Sequence, residues 1–297
     1  MQILALKIVL VATDLSEGSL PAISAAHTIA RAAGALMHVV HVGDEPDGGG
    51  ATHAQLGRLG IPLDEASVHT LPGEPAPGVV RLANEIRADV IIVGSHGRRH
   101  GRSTDAQPEI GTALVIATRA PVPVLVVGRD ARIPVGRVMV AVDGSETARG
   151  AAVISLSWAS ALRESKLSAV GGTKLIVVYV DVTPAGPERH AVLTQEVERR
   201  IAKLRIDAGV WAGVGIEHVV LEGKDVAGTI TKYVMQNDID LVVLGTRGVG
   251  LDRERRLGSV SARVCEGVTK PVLLVPPAVW QAYIQSDTPT DLPAETA

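Results

Sequence analysis

The sequence contains no phenylalanine, and its aromatic share is 2 %, made up of three Trp and three Tyr. All six lie after residue 157. A core without aromatics has to be filled by Val, Ile, Leu and Ala, which suits parallel strands buried on both faces. The same scarcity excludes single-stranded nucleic-acid binding, which needs stacking platforms. There is one cysteine, so an internal disulfide framework and a cysteine metal cage are both excluded. A reducing compartment is expected. The net charge of −3 is too small to mark a nucleic-acid binder or a polybasic membrane anchor. No apolar stretch reaches the ~18 residues needed to span a bilayer. The apolar start from Met1 to Leu15 carries Lys7 and Asp14 and has no small-residue cleavage site, so no signal peptide is expected. These absences together predict a soluble, cytoplasmic chain with neither nucleic acid nor membrane as a partner.

What is present is a large apolar fraction, 46 %, against 21 % charged residues. That is enough to bury a substantial core, and 297 residues suggest two domains of ordinary size. The sequence also repeats itself. KIVLVATDLSEGS from Lys7 matches RVMVAVDGSETAR from Arg137, each an apolar run ending in Asp with a Ser two positions on. VIIVGSHG from Val90 matches LVVLGTRG from Leu241, and PVPVLVV from Pro121 matches KPVLLVP from Lys270. The matches keep one order, and the second copy is longer between its Asp and its glycine.

Each copy alternates short apolar runs with helix-length patterns, which predicts βαβ units and a parallel sheet. In the second copy strands are expected at 137–142, 174–180, 216–221, 240–245 and 271–275. Helices are expected near 146–164, 188–208, 224–237 and 258–268. The first copy has runs at 7–13, 36–42, 67–71, 89–94 and 122–127. Between Gly43 and Gly60 it reads GDEPDGGGATHAQLGRLG, which is glycine-rich and predicts no full second helix. The domains are placed at 1–128 and 136–277, with GRDARIPVG as the linker and a polar, frayed tail over 278–297.

One motif carries chemistry. The fourth strand of the second copy is followed by GTRGVGLDRERRLGSVS, with Gly245, Gly248 and Gly258 spaced as Gly, two residues, Gly, nine residues, Gly-Ser. Glycines let backbone approach a ligand with no Cβ in the way. Gly258 and Ser259 open a helix whose free N–H groups and positive dipole end favour phosphate. The Ser259 and Ser261 hydroxyls are further donors. Ligands of open α/β sheets sit beyond the carboxyl ends of the strands. The first strand of this copy ends there at Asp143, whose carboxylate can accept from a ribose or an adenine edge.

These residues resemble the nucleotide-binding members of the universal stress protein family, in two tandem copies covering about residues 1–277. The resemblance implies two tandem doubly wound five-stranded parallel sheets of order 3-2-1-4-5. Such domains are adenine-nucleotide alpha-hydrolase-like and would be arranged as a pseudo-dimer through the fifth strands. It implies an ATP site with Ala141, Val142 and Asp143 near the adenosine and the Val180 backbone on adenine. Leu244, Gly245, Arg247 and Gly248 would hold ribose and phosphates, and Gly258, Ser259, Val260 and Ser261 would complete the triphosphate site. Magnesium or manganese is expected only with the triphosphate. A further homodimer is left open.

The first copy departs from the pattern. Gly94 and Gly97 fit, but nine residues further on stand Gln107 and Pro108. A Gly-Thr follows at Gly111 and Thr112, which a four-residue insertion explains. Asp14 and Val42 occupy the Asp and adenine-backbone positions.

Plainer readings exist for the other candidates. Arg98, Arg99, Arg102, Arg253, Arg255 and Arg256 read as solvated loop residues, and only Arg247 sits inside the GxxG. His38 and His41 lie three apart on a strand and face opposite sides. No His pair has a third ligand at zinc spacing. Cys265 reads as a buried thiol. Ser259 has no base at recognisable spacing, and neither GxxxxGK[ST] nor a GxGxxG after the first strand is present. The leading expectation is an ATP-binding stress regulator with at most weak hydrolysis. The alternatives are a slow ATPase or nucleotidyl-transfer enzyme, and a nucleotide-free scaffold.

Overall fold

The computed structural model describes residues 6–44, 48–95, 111–128, 130–131, 135–164, 172–183, 186–207, 215–248 and 257–286. In chain order the first half runs β1 (Ile8–Thr13), α1 (Leu20–Ala33), β2 (Leu36–Val42), α2 (Gly48–Arg58), β3 (Ala66–Leu71), α3 (Pro75–Glu85), β4 (Val90–Gly94), α4 (Thr112–Arg119) and β5 (Val124–Val127). The second half runs β6 (Arg137–Ala141), α5 (Glu146–Glu164), β7 (Lys174–Asp181), α6 (Pro187–Asp207), β8 (Gly215–Glu222), α7 (Val226–Gln236), β9 (Leu241–Gly245), α8 (Ser259–Gly267), β10 (Val272–Val275) and α9 (Pro277–Ser286).

The strands form one ten-stranded sheet, in the order β3-β2-β1-β4-β5-β10-β9-β6-β7-β8. Within each half every pairing is parallel, and the order is the expected 3-2-1-4-5. The halves meet where β5 pairs antiparallel with β10, Leu125 facing Leu273. The two expected sheets are therefore one continuous sheet with a single antiparallel step. All residues of β5 and β10 are buried. Fully burying a Val or Leu contributes about 1.5–3 kcal/mol, so this seam is part of the core.

Helices cover both faces, which is why the central strands are apolar on both sides. One face packs Ile23 of α1, Leu56 of α2, Ile154 of α5 and Val197 of α6. The other packs Val79 of α3, Ile116 of α4, Ile230 of α7 and Val264 of α8. Small residues on α1 and α5 (Ala22, Ala26, Ala151, Ala152) bring those helices close to the strands, so aliphatic side chains fill the interior without phenylalanine.

Two expectations are corrected. Glycine-rich 48–58 does form a helix, α2, although α6 in the second half is much longer. Tertiary contacts override the poor local propensity. Leu56 is fully buried, the Thr52 hydroxyl donates to the Gly48 carbonyl at 2.7 Å, and Gln55 joins a buried polar network. The frayed tail is likewise displaced: α9 runs to Ser286 and lays Trp280, 9 % exposed, against α5 beside Gly150. Residues 287–297 lie outside the described residues.

Candidate functional site

The carboxyl ends of β6, β7 and β9 and the amino ends of α7 and α8 surround a cleft of about 630 Å³. All twelve second-copy residues singled out by the sequence line it: Ala141, Val142, Asp143, Val180, Leu244, Gly245, Arg247, Gly248, Gly258, Ser259, Val260 and Ser261. The sheet order explains why. Placing β6 beside β9 brings the first-strand Asp and the fourth-strand glycines to one edge, although they are about a hundred positions apart.

Glycine is needed at two of these positions for different reasons. A Cβ on Gly245 would stand 2.9 Å from the carbonyl carbon and Cβ of Thr147, so the strand end and α5 touch without room for a methyl. A Cβ on Gly248 would stand 2.9 Å from Asp143 Oδ2, across the mouth of the cleft. Gly258 is the N-cap of α8, with extended backbone and no side-chain cap. The first N–H groups of that helix therefore remain available to an anion. The Gly258 N–H itself donates to the Thr246 carbonyl at 2.8 Å.

The hydroxyls divide. Ser259 is exposed at the first position of α8. Ser261 is buried and donates to the Gly245 carbonyl at 2.7 Å, so its proton ties α8 to the end of β9. Asp143 Oδ1 accepts the Ser145 N–H at 2.9 Å. The other wall is apolar: Val178 and Val182 of the β7 segment with Val226 and Ile230 of α7, joined by Tyr179, Ala148 and Leu257. These residues escaped the sequence reading because nothing in a strand valine separates a cleft wall from a core position. Cys265 of α8 is half-buried against the core, and desolvation with the nearby Glu266 charge pushes its thiol up to about 12.

In the first half the candidates are placed as follows. Asp14 Oδ1 accepts from the Ser16 N–H at 3.0 Å and the Ser16 hydroxyl at 2.6 Å. Val42 is buried, unlike Val180. Gly94 ends β4, Gly111 caps α4 with the same backbone geometry as Gly258, and Thr112 is the first residue of α4. Gly97 and Arg98, Arg99 and Arg102 lie outside the described residues, as do Arg253, Arg255 and Arg256. His41 is buried and donates from Nδ1 to the Thr13 carbonyl at 3.0 Å. His38, on the other face, bonds His69 of β3 instead.

Polar side chains fill the first half where the second has apolar ones. The counterparts of Val142 and Ala148 are Thr13 and Ser19, whose hydroxyls lie 2.8 Å apart. Gln55 of α2 accepts from Thr13 at 2.7 Å and donates to the Ser16 carbonyl at 2.9 Å and to Ser19 Oγ at 3.2 Å. Among the described residues no group of three or more His, Cys, Asp or Glu could hold a metal ion, and no helix is long and apolar enough to cross a membrane.

Comparison with known proteins agrees with the duplication. A model of the universal stress protein family matches residues 51–128 and 134–276. A universal stress protein of Thermus aquaticus, named for its position in a QAH/OAS sulfhydrylase 3′ region, is 32 % identical over 142 residues, spanning 46 % of this chain and 96 % of the relative. A crystal structure of a functionally unknown protein from Pseudomonas aeruginosa PAO1 superposes with a TM-score of 0.65 at 17 % identity, covering 96 % of this chain and 98 % of that one. A universal stress protein from Archaeoglobus fulgidus DSM 4304 gives 0.60 at 17 %, covering 91 % and 96 %. At such identities the structures speak to the fold.

Proposed function

The chain belongs to the universal stress protein family, and on that premise we propose that its second half binds an adenine nucleotide, ATP, and acts as a cytoplasmic stress-response regulator whose state follows occupancy. One observation carries the reading. A single cleft gathers a carboxylate (Asp143), an apolar wall, a two-glycine turn and the uncapped amino end of α8. The apolar wall suits a flat base, the carboxylate suits ribose hydroxyls or an exocyclic amine, and the helix end suits phosphate. The cleft volume is in the range of small-ligand sites. A magnesium or manganese ion would arrive with the triphosphate and be held chiefly by its oxygens.

The reading assigns one nucleotide per chain. In the first half Thr13, Ser19 and Gln55 form a hydrogen-bonded polar network at the positions where the second half sets the apolar Val142 and Ala148 on its cleft wall. Leu15 also adopts a φ of +62° where the second half has Gly144. A left-handed leucine costs roughly 1–2 kcal/mol, and it places a bulky side chain beside Asp14.

The test is native mass spectrometry of protein purified without added nucleotide, followed by ATP titration of the emptied protein. One adenine nucleotide per chain supports the proposal, and Gly258→Val should remove it. Two per chain would restore the first half as a site. No binding at millimolar ATP would end the reading.

A further inference from the structure

We propose that Thr147 is a positioning residue for the cleft, a latch that sets the orientation of the Gly248 N–H; the inference rests on the nucleotide reading above. Thr147 is the second residue of α5 and 5 % exposed. Its hydroxyl donates to the carbonyl oxygen of Arg247, across from α5 on the β9–α8 turn. Ser145 Oγ lies 3.0 Å from Thr147 Oγ1 and accepts the Ala148 N–H at 3.2 Å. Proton counting then gives the chain a direction. Thr147 spends its one proton on Arg247, so Ser145 must be the donor to Thr147. Ser145 is itself anchored, because its backbone N–H donates to Asp143 Oδ1.

The latch completes a pattern on the turn. The carbonyls of Gly245, Thr246 and Arg247 accept, in order, from Ser261 Oγ, from the Gly258 N–H and from Thr147 Oγ1. In a planar trans peptide the carbonyl and the following N–H point in opposite directions. Pinning the Arg247 carbonyl onto α5 therefore turns the Gly248 N–H away from α5. Gly248 lines the cleft, so the latch holds one of its backbone donors in a fixed direction for an anionic ligand. The first half has glycine, Gly18, at the position of Thr147. A side-chain latch cannot form there.

The experiment compares wild type with Thr147→Val, Thr147→Ser and Ser145→Ala. ATP and adenosine affinities are measured by calorimetry, and protection of the 245–248 amides by hydrogen exchange in ATP-saturated protein, where the Gly248 N–H has its acceptor. Thr147→Val keeps the shape and removes the donor. It should weaken ATP about tenfold, weaken adenosine much less, and lower protection of the Gly248 amide. Thr147→Ser should recover ATP affinity, and Ser145→Ala should fall between. If Thr147→Val does not fold, Ser145→Ala against Thr147→Ser carries the comparison. Equal ATP affinity in Thr147→Val and wild type overturns the latch alone. So do equal losses for ATP and adenosine, because they mark a general loosening. If wild type binds neither ligand, the nucleotide reading falls and takes the latch with it; unchanged amide protection overturns the latch even where ATP binds.

Discussion

Asp240 stands to β6 as Asp89 stands to β1. Oδ2 of Asp89 accepts the N–H groups of Lys7 and Ile8 at 2.7 and 2.8 Å. Oδ2 of Asp240 accepts those of Gly136 and Arg137 at 2.8 and 2.9 Å. Each carboxylate precedes a fourth strand and fastens the start of the first strand beside it. Asp240→Ala should therefore destabilise the protein by about 2 kcal/mol, the scale of losing charge-assisted bonds to part-buried amides. Asp89→Ala should cost less, because the Lys7 bond is exposed. Urea unfolding checks this: the midpoint should fall with the slope unchanged.

Gly248→Val should separate binding from folding. The new side chain meets the free end of the Asp143 carboxylate, which can swing aside at little cost to the fold. Swung aside, Asp143 no longer faces the cleft. ATP affinity should drop at least about tenfold, with circular dichroism unchanged and the melting temperature close to wild type. Retained affinity would remove Asp143 and Gly248 from the site.

Gly128→Ala should do the reverse. A Cβ there would lie 2.0 Å from the Thr269 carbonyl oxygen, a backbone atom beside β10 that cannot move alone. The Asp130 N–H donates to the same oxygen at 3.2 Å. Overpacking at the seam should cost about 3 kcal/mol. Thermal unfolding reads it directly, and an unchanged melting temperature would contradict the close approach.

His38 and His69 should make stability depend on mild acid. Their rings stack with centroids 5.1 Å apart, and His38 Nδ1 and His69 Nε2 are joined at 2.9 Å. Burial holds both below the ordinary histidine value, and for His38 the charge of His69 adds to it. The unfolded chain then takes up protons at a higher pH than the folded one. Stability is present above about pH 6.5 and is lost as pH falls through that value towards the depressed folded ones. Chemical denaturation between about pH 7.5 and 5.5 should show a steeper loss for wild type than for the His38→Gln/His69→Gln variant. Parallel slopes would refute the assignment.

Cys265 should be inert while the protein is folded. Burial pushes its thiol up to about 12, so almost no thiolate forms at pH 8. Alkylation at pH 8 should be many-fold slower in native buffer than in urea, and equal rates in the two would contradict the raised thiol.

The second-half site was legible because its signal is local. Glycines at set spacing, a strand before and a helix after all lie between Leu241 and Gly267, and a parallel sheet leaves few places for them to go. The helix α2 was not legible, because Gly48, Gly49 and Gly50 argue against helix and only Leu56, Thr52 and Gln55 in their tertiary setting argue for it. Trp280 misled in the same way: a polar tail hides one anchoring side chain. Ser261 showed its hydroxyl in the sequence but not its direction, which the Gly245 carbonyl decides. Thr147 gave no signal, since its partner lies a hundred positions away.

The antiparallel step between β5 and β10 has a genetic meaning. Two identical chains meeting about a twofold axis carry every substitution twice, once in each partner. When one gene encodes both sides of the seam, a change in one half leaves the other as it was. Leu15 for Gly144 and Gly18 for Thr147 are differences that a symmetric pair could not hold separately. A single chain can therefore hold a left-handed Leu15 in one half and a side-chain latch in the other, each without its copy across the seam.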